Sequence, residues 1–185
     1  EEALRWADAY AAFRPTNNFD FYNIKWVHAF GAGVDSFLFK RQWEKDVLLT
    51  RTICDFGEKI SEYCLSYILA EIQNHCRFKE NKRLHKWEPV EPLIMKAQKI
   101  IILGTGIIGQ EIAKKLNLLG VSVSGVSLSG VAKPYFNKVE RFENIKGLLK
   151  GANWLINTLP LTEKTEGVIN RNMFSVMQDA GFINV

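Results

Sequence analysis

A glycine-rich turn is the segment of this sequence whose residue types and spacing most directly suggest chemistry. The run GTGIIG, residues 104–109, follows an apolar stretch and opens a helical pattern. In such a turn the first glycine permits a tight bend, the second lets a ligand approach the backbone, and the third lets the helix lie close to the strand. The helix start adds unpaired N–H groups and the positive end of its dipole. The turn therefore predicts that a dinucleotide pyrophosphate binds at Gly104, Gly106, Ile107, Ile108 and Gly109.

The surroundings of the turn make this interpretation specific, because a GxGxxG pattern alone is weak. Apolar residues continue behind the turn at helical spacing, namely Ile108, Ile112, Ala113, Leu116 and Leu119. Gly120 stands where a helix C-cap belongs, and residues 121–126 then read as a second strand. A complete strand–helix–strand unit thus fits within about thirty residues, the length that such a unit needs.

The end of this second strand bears on the choice of cofactor. A site for NAD commonly carries Asp or Glu about twenty residues past the glycines, where it binds the ribose hydroxyls. Here the sequence is Ser127-Leu128-Ser129, without an acid, and Lys133 follows. Because no carboxylate repels a 2′-phosphate, we expect NADP or NAD as the cofactor, with a slight preference for NADP.

Composition and charge argue against several other kinds of site. The 185 residues are 47% hydrophobic and carry a formal net charge of +4, which is typical of a globular protein without a nucleic-acid partner. We interpret the basic stretch at 75–86 as a solvated linker. Cys54, Cys64 and Cys76 lack zinc-site spacing, so we expect free, buried thiols and no metal. Without a membrane-length apolar run or a visible signal peptide, the sequence predicts a cytoplasmic protein with no membrane partner.

Alternating patterns divide the chain near residue 55. The first part reads as strands at 7–13, 25–30 and 47–52 with a short helix at 35–39. A capping box from Asp55 to Glu58 then opens a long helix. From residue 99 onward we predict strands at 99–103, 121–126, 153–157 and 181–185, and helices at 107–119, 142–150 and 170–177. Such alternation predicts a parallel sheet with helices on both faces.

Several motifs in a fixed order carry a family resemblance. In chain order they are GAGVD (31–35), LTR (49–51), EY (62–63), WEP (87–89), GTGIIG (104–109), INTLPLT (156–162), GVIN (167–170) and GFINV (181–185). This order resembles the D-isomer-specific 2-hydroxyacid dehydrogenases, and most closely the branch that reduces glyoxylate and hydroxypyruvate. The resemblance implies an α/β fold in which a Rossmann-type doubly wound parallel sheet is inserted into a partial flavodoxin-like substrate domain. Residues 1–55 would form the partial substrate domain, and 56–185 the nucleotide-binding domain, truncated at its C-terminal side.

The same resemblance implies which residues bind substrate and cofactor. Gly31, Ala32, Gly33 and Val34 correspond to the loop whose N–H groups hold the substrate carboxylate. The loop with Thr158, Leu159, Pro160 and Thr162 lies along the cofactor in this family, as does the tip formed by Ser127, Leu128 and Ser129. Many phosphate-preferring relatives carry an arginine at the position of Leu128, and this sequence departs from them. The catalytic arginine, glutamate and histidine are expected beyond Val185.

The reaction that the resemblance implies is NAD(P)-dependent reduction of a small 2-keto acid, of the glyoxylate or hydroxypyruvate type, to the D-2-hydroxy acid. The family also implies a homodimer that pairs through the helix at about 57–74, with Trp87 near the neighbouring active site. A phosphoglycerate dehydrogenase and a non-enzymatic, dinucleotide-sensing corepressor are the alternatives. Since the chain starts without methionine and stops inside a predicted strand, we interpret it as a fragment, inactive on its own.

Overall fold

The computed structural model describes residues 2–185, which form two compact units. The first unit comprises the residues up to Phe56 together with Pro160–Val168, and the second comprises Gly57–Leu159 and Ile169–Val185. The assignment of 1–55 to a substrate domain and of 56–185 to a nucleotide-binding domain stays a prediction.

The first unit is built around a small parallel sheet. Its strands are β1 (Ala9–Ala12), β2 (Trp26–Ala29) and β3 (Leu48–Arg51), in the order β1-β2-β3, and helix α1 (Asp35–Leu38) follows β2. A single turn of 3-10 helix, Glu2–Arg5, precedes β1. The core of this unit lies on one face of the sheet, with Val27, Ala29 and Phe37 at its centre. All three predicted strands and the short helix are confirmed, each with slightly shorter bounds.

The second unit is a five-stranded, fully parallel sheet with helices on both faces. Its strands are β4 (Lys99–Leu103), β5 (Ser122–Ser127), β6 (Lys138–Arg141), β7 (Trp154–Asn157) and β8 (Gly181–Asn184), in the order β6-β5-β4-β7-β8. Its helices are α2 (Phe56–Ile72), α3 (His75–Arg83), α4 (Ile107–Leu118), α5 (Ile145–Leu149) and α6 (Arg171–Phe174). The strand order reverses at β4, which is the arrangement of a doubly wound dinucleotide-binding fold.

The central strand explains why the helices cover both faces. Residues 100–103 are fully buried, and their side chains alternate between the two faces of the sheet. One face packs Ile100 and Ile102 against residues of α2 and α4, and the other packs Ile101 and Leu103 against α5 and α6. A strand buried on both faces reads as a continuous apolar run, which is why the sequence predicts a parallel sheet here. That prediction is confirmed.

Two predictions about local structure are corrected by the structure, and one strand was not predicted. The stretch at 75–86, interpreted as a solvated linker, is mostly exposed, but His75–Arg83 within it forms the helix α3. Strand β6 was not predicted, since Lys138–Arg141 is a four-residue edge strand with charged residues at both ends. Only Cys64 is a buried thiol, whereas Cys54 and Cys76 are exposed. Burial raises the pKa of the Cys64 thiol to about 11.

Among residues 2–185, no helix combines the length and apolar character needed to cross a membrane. The same residues contain no group of three or more His, Cys, Asp or Glu side chains placed to hold a metal ion.

Candidate functional site

The glycine turn lies at the carboxyl end of the central strand β4, at the edge where open parallel sheets bind ligands. Gly104 has a φ of +94°, a conformation that side chains rarely adopt. Its N–H donates to the Val126 carbonyl at 2.8 Å. A Cβ at Gly104 would lie 2.6 Å from Thr158 Oγ1. The turn therefore requires glycine at this position for both conformation and space.

The other two glycines of the motif differ from each other in what surrounds them. A Cβ at Gly109 would collide with the carbonyl oxygen of Gly104 and would lie 3.4 Å from Ile102 Cγ2, so the close approach of helix to turn requires glycine there. Gly106 has a φ of −76°, and a Cβ added to it would meet no atom within 4 Å. The fold itself therefore does not require glycine at 106. Open space beside the turn is what a bound phosphate would need.

The backbone of the turn presents hydrogen-bond donors that the protein does not use. Within residues 2–185, the N–H groups of residues 105–109 donate no hydrogen bond. The carbonyls of Thr105 and Gly106 instead accept from Gln110 Nε2, at 3.0 and 3.4 Å. Five consecutive amides without acceptors, at the start of the twelve-residue helix α4, form a site suited to an anion. Gln110 was not identified from the sequence.

A threonine ties the end of β7 to the glycine turn. The backbone N–H and the hydroxyl of Thr158 both donate to the Leu103 carbonyl, at 2.8 and 2.9 Å, and the hydroxyl also lies 3.1 Å from the Gly104 carbonyl. Leu159 follows and packs against the core beneath. The structure thus brings Thr158 against the predicted pyrophosphate turn, and this contact fixes the shape of the turn.

Pro160 and Thr162 belong to the first unit. There the Thr165 hydroxyl donates to the Pro160 carbonyl at 2.6 Å and accepts from the Thr162 N–H at 2.8 Å. These bonds close a polar turn that holds the two residues in a fixed local geometry. Their predicted role along the cofactor stays a prediction.

The tip of β5, residues 127–129, has no charged side chain, and both of its serine hydroxyls accept hydrogen bonds from nearby backbone N–H groups. Ser127 Oγ accepts from the Gly130 N–H at 3.1 Å, and Ser129 Oγ accepts from the Val131 N–H at 3.4 Å. Leu128 between them is 61% exposed. Because each hydroxyl keeps its own proton for donation, the two serines can still bind an oxygen of a ribose or phosphate.

The loop at 31–34 follows the carboxyl end of β2 in the first unit. Within the described part of the chain, the N–H groups of these four residues donate no hydrogen bond. Arg51, the last residue of β3, donates from Nη1 to the Ala32 carbonyl. A Cβ at Gly33 would lie 2.7 Å from Asp35 Oδ1. Free amides beside a guanidinium suit a carboxylate ligand. The contact of Arg51 with this loop was not predicted from the sequence.

Comparison with known proteins identifies a matching family model and similar sequences. A family model described as the NAD-binding domain of D-isomer-specific 2-hydroxyacid dehydrogenases matches residues 65–185. Glyoxylate/hydroxypyruvate reductase A of Escherichia fergusonii is 29% identical over 166 residues, which are 86% of this chain and 53% of the relative. An uncharacterised protein of Streptomyces coelicolor is 30% identical over 88% of this chain and 58% of its own length. The chain thus spans little more than half of these curated relatives.

Solved structures of this family also resemble the chain. A D-isomer-specific 2-hydroxyacid dehydrogenase family protein of Klebsiella pneumoniae superposes with a TM-score of 0.85 at 29% identity, covering 100% of this chain and 60% of that one. The enzyme of Xanthobacter autotrophicus, in complex with NADPH and MES, gives a TM-score of 0.84 at 27% identity, covering 98% and 58%. These matches confirm the resemblance drawn from the motifs. The chain belongs to the D-isomer-specific 2-hydroxyacid dehydrogenase family, with its residues 65–185 in the NAD-binding domain.

Proposed function

We propose that the protein reduces a small 2-keto acid, of the glyoxylate or hydroxypyruvate type, to the D-2-hydroxy acid with NAD(P)H. The observation that carries this proposal is the row of five unpaired N–H groups at residues 105–109, at the carboxyl end of the central strand. The similarity to glyoxylate/hydroxypyruvate reductases A supports the substrate class. Because the chain spans about half of such relatives, the activity proposed is that of the native-length protein.

The hydrogen-bond donors of the site determine the role proposed for each residue. When bound, the cofactor supplies the hydride that reduces the keto carbon. The amides of residues 105–109 bind its pyrophosphate, and Thr158 keeps the turn in shape through Leu103 and Gly104. The amides of residues 31–34 bind the substrate carboxylate. Arg51 positions that loop by engaging the Ala32 carbonyl, and its positive charge favours an anionic ligand nearby.

A proton donor and a carboxylate-binding arginine complete the reaction in this family, and no residue of 1–185 stands at their motif positions. We therefore expect these 185 residues alone to bind the dinucleotide without turning over substrate. The cofactor of the native-length protein is NADPH in preference to NADH, since the tip at Ser127, Leu128 and Ser129 has no carboxylate to repel a 2′-phosphate.

The partner proposed is a second copy of the chain, bound through α2. Tyr63 and Tyr67 lie on adjacent turns of this helix with ring centroids 4.8 Å apart, and both are about half exposed. Trp87 is 92% exposed in the connector that follows α3. Large aromatic residues on a surface commonly mark an interface. Sedimentation of the native-length protein at micromolar concentration is expected to give a dimer, and a stable, active monomer would contradict it.

Steady-state turnover tests the proposed function. The native-length protein is assayed with hydroxypyruvate, glyoxylate and phosphohydroxypyruvate, each with NADPH and NADH. We expect oxidation of the cofactor with hydroxypyruvate and glyoxylate, and a kcat/KM for NADPH at least equal to that for NADH. Preferential turnover of phosphohydroxypyruvate would support a phosphoglycerate dehydrogenase instead. Tight cofactor binding without turnover of any 2-keto acid would support a dinucleotide sensor, and either result would overturn the proposal.

A further inference from the structure

The tip of β5 lacks the charged residue that a cofactor carrying a 2′-phosphate calls for, and the neighbouring strand supplies one. Strands β5 and β6 pair in parallel, with Ser127 opposite Arg141. Both residues end their strands, so they lie side by side at the carboxyl edge of the sheet. Register partners in a sheet place their side chains on the same face. The ribose of a dinucleotide lies at this edge, beyond the second strand.

The loop after β5 packs directly on Arg141. Gly130 has a φ of +65°, and a Cβ at this position would lie 2.6 Å from Arg141 Cγ and 3.2 Å from its backbone nitrogen. The N–H of Gly130 is in turn bonded to Ser127 Oγ. The turn of residues 127–130 and the aliphatic part of the Arg141 side chain therefore form one continuous surface.

The charge of Arg141 is available to a ligand. Within residues 2–185 its guanidinium donates no hydrogen bond, and its ion pair with Glu143 joins Nε to Oε2 at 3.4 Å. Both side chains of this pair are mostly exposed, 61% for Arg141 and 72% for Glu143. Exposed pairs of this kind are weak. A guanidinium with five N–H donors in a planar fork matches the oxygens of a phosphate.

We propose that Arg141 binds the 2′-phosphate of NADP(H), in the role that an arginine at position 128 fills in many phosphate-preferring relatives. The positive group reaches the subsite from the adjacent strand, while Leu128 presents only an apolar side chain there. Ser127 and Ser129 supply hydroxyl donors beside it. This inference rests on the proposed function, because it assigns specificity within the same cofactor site.

Equilibrium titration of the purified protein tests the assignment without turnover. The Kd values of NADPH, NADH, adenosine 2′,5′-bisphosphate and AMP are measured for the unaltered chain and for Arg141→Met, which keeps the aliphatic packing on Gly130. We expect Arg141→Met to weaken NADPH and the bisphosphate by about 10- to 100-fold, the loss typical of a hydrogen bond to a charged group. NADH and AMP should change by less than about twofold.

Two further variants act as controls. Lys138→Met removes the same charge from the opposite end of β6 and should leave the ratio of the NADPH and NADH affinities unchanged. Glu143→Gln removes the partner carboxylate of Arg141 and should tighten NADPH without affecting NADH. Circular dichroism of each variant confirms that the fold is retained.

The outcomes separate this inference from the proposed function. If the unaltered chain binds neither NADPH nor NADH, both proposals fail. If it binds them and Arg141→Met leaves NADPH affinity unchanged, or weakens both dinucleotides equally, only the assignment of Arg141 is overturned. If Lys133→Met instead loses NADPH affinity and Arg141→Met keeps it, the assignment of Arg141 is likewise overturned. The phosphate contact is then assigned to Lys133.

Discussion

At the scale of single residues, Gln110 keeps the glycine turn able to bind an anion. Carbonyl oxygens near a pyrophosphate repel its charge, and the side-chain amide of Gln110 donates to two carbonyls of the turn, those of Thr105 and Gly106. Because these carbonyls already accept hydrogen bonds, the backbone N–H groups of residues 105–109 are the polar groups of the turn that can bind the ligand.

Replacing Gln110 tests this role. Gln110→Ala is expected to weaken NADPH binding by about 5- to 20-fold, because the Thr105 carbonyl loses its donor beside the phosphates, while the Gly106 carbonyl keeps the backbone N–H of residue 110. Gln110→Glu should be worse, since it adds a negative charge at the same place. Gln178→Ala, at an exposed position, serves as the control. Equal Kd values for all four proteins in fluorescence titration would show that Gln110 is only a surface residue.

The glycines of the turn were predictable from the sequence, and their supporting residues were not. Gly104 and Gly109 follow from the local geometry of a strand, a bend and a helix, and the structure shows the positive φ and the close approach that require them. Arg51 and Arg141 act on loops 19 and 11 residues away, so their roles depend on which strands pair. Strand pairing is a tertiary property that residue types alone do not encode.

At the scale of elements, the carboxylate of Glu88 attaches the connector after α3 to that helix. Glu88 accepts from Arg77 Nη2 at 2.8 Å and from Asn81 Nδ2 at 3.3 Å, and Lys86 Nζ lies 3.2 Å away. Arg77, Lys86 and Asn81 together hold the pKa of Glu88 at about 2, below its ordinary value of 4.5. Trp87, the residue before Glu88, is 92% exposed.

The lowered pKa of Glu88 predicts a pH-dependent contribution to stability. A carboxyl whose pKa is lower in the folded state stabilises the fold above its unfolded pKa, and that contribution is lost as the pH falls through the folded value. The difference in unfolding free energy between the unaltered protein and Glu88→Gln should therefore be largest near pH 7 and shrink between about pH 5 and pH 2.

Urea unfolding at a series of pH values measures this difference. Glu91→Gln in the same connector is the matched control, because no ion pair of Glu91 occurs within the described residues. A Glu88→Gln difference that stays constant across the acidic range would show that the ion pairs seen at Glu88 do not stabilise the fold.

The reason α3 was not predicted lies in these same contacts. Most of its residues are polar, its one large apolar residue, Phe78, is 41% exposed, and Asn81 is the only buried residue. A helix without an apolar stripe gives no periodic pattern. It is held instead by contacts such as those from Arg77 and Asn81 to Glu88, which the sequence does not reveal. Helices α2 and α4, whose apolar residues pack on the sheet, were predicted within one or two residues.

At the scale of the whole molecule, the doubly wound sheet could be predicted because four of its strands are apolar or alternating segments separated by helical patterns. The continuous burial of residues 100–103 on two faces accounts for that success. The grouping of Pro160–Val168 with the first unit could not be predicted, since these residues come only three positions after the end of β7, a strand of the second unit. Contacts distant in sequence decide such a grouping.

The central claim is that the glycine turn binds the dinucleotide, and Gly106→Val tests it most directly. Gly106 has a φ that side chains adopt, and no atom lies within 4 Å of an added Cβ, so the variant should fold normally. Gly147 in α5 also has open space around an added Cβ, which makes Gly147→Val the matched control. NADPH titration should show normal affinity for Gly147→Val and no measurable binding for Gly106→Val at equal thermal stability. Unchanged NADPH affinity in a folded Gly106→Val protein would contradict the account.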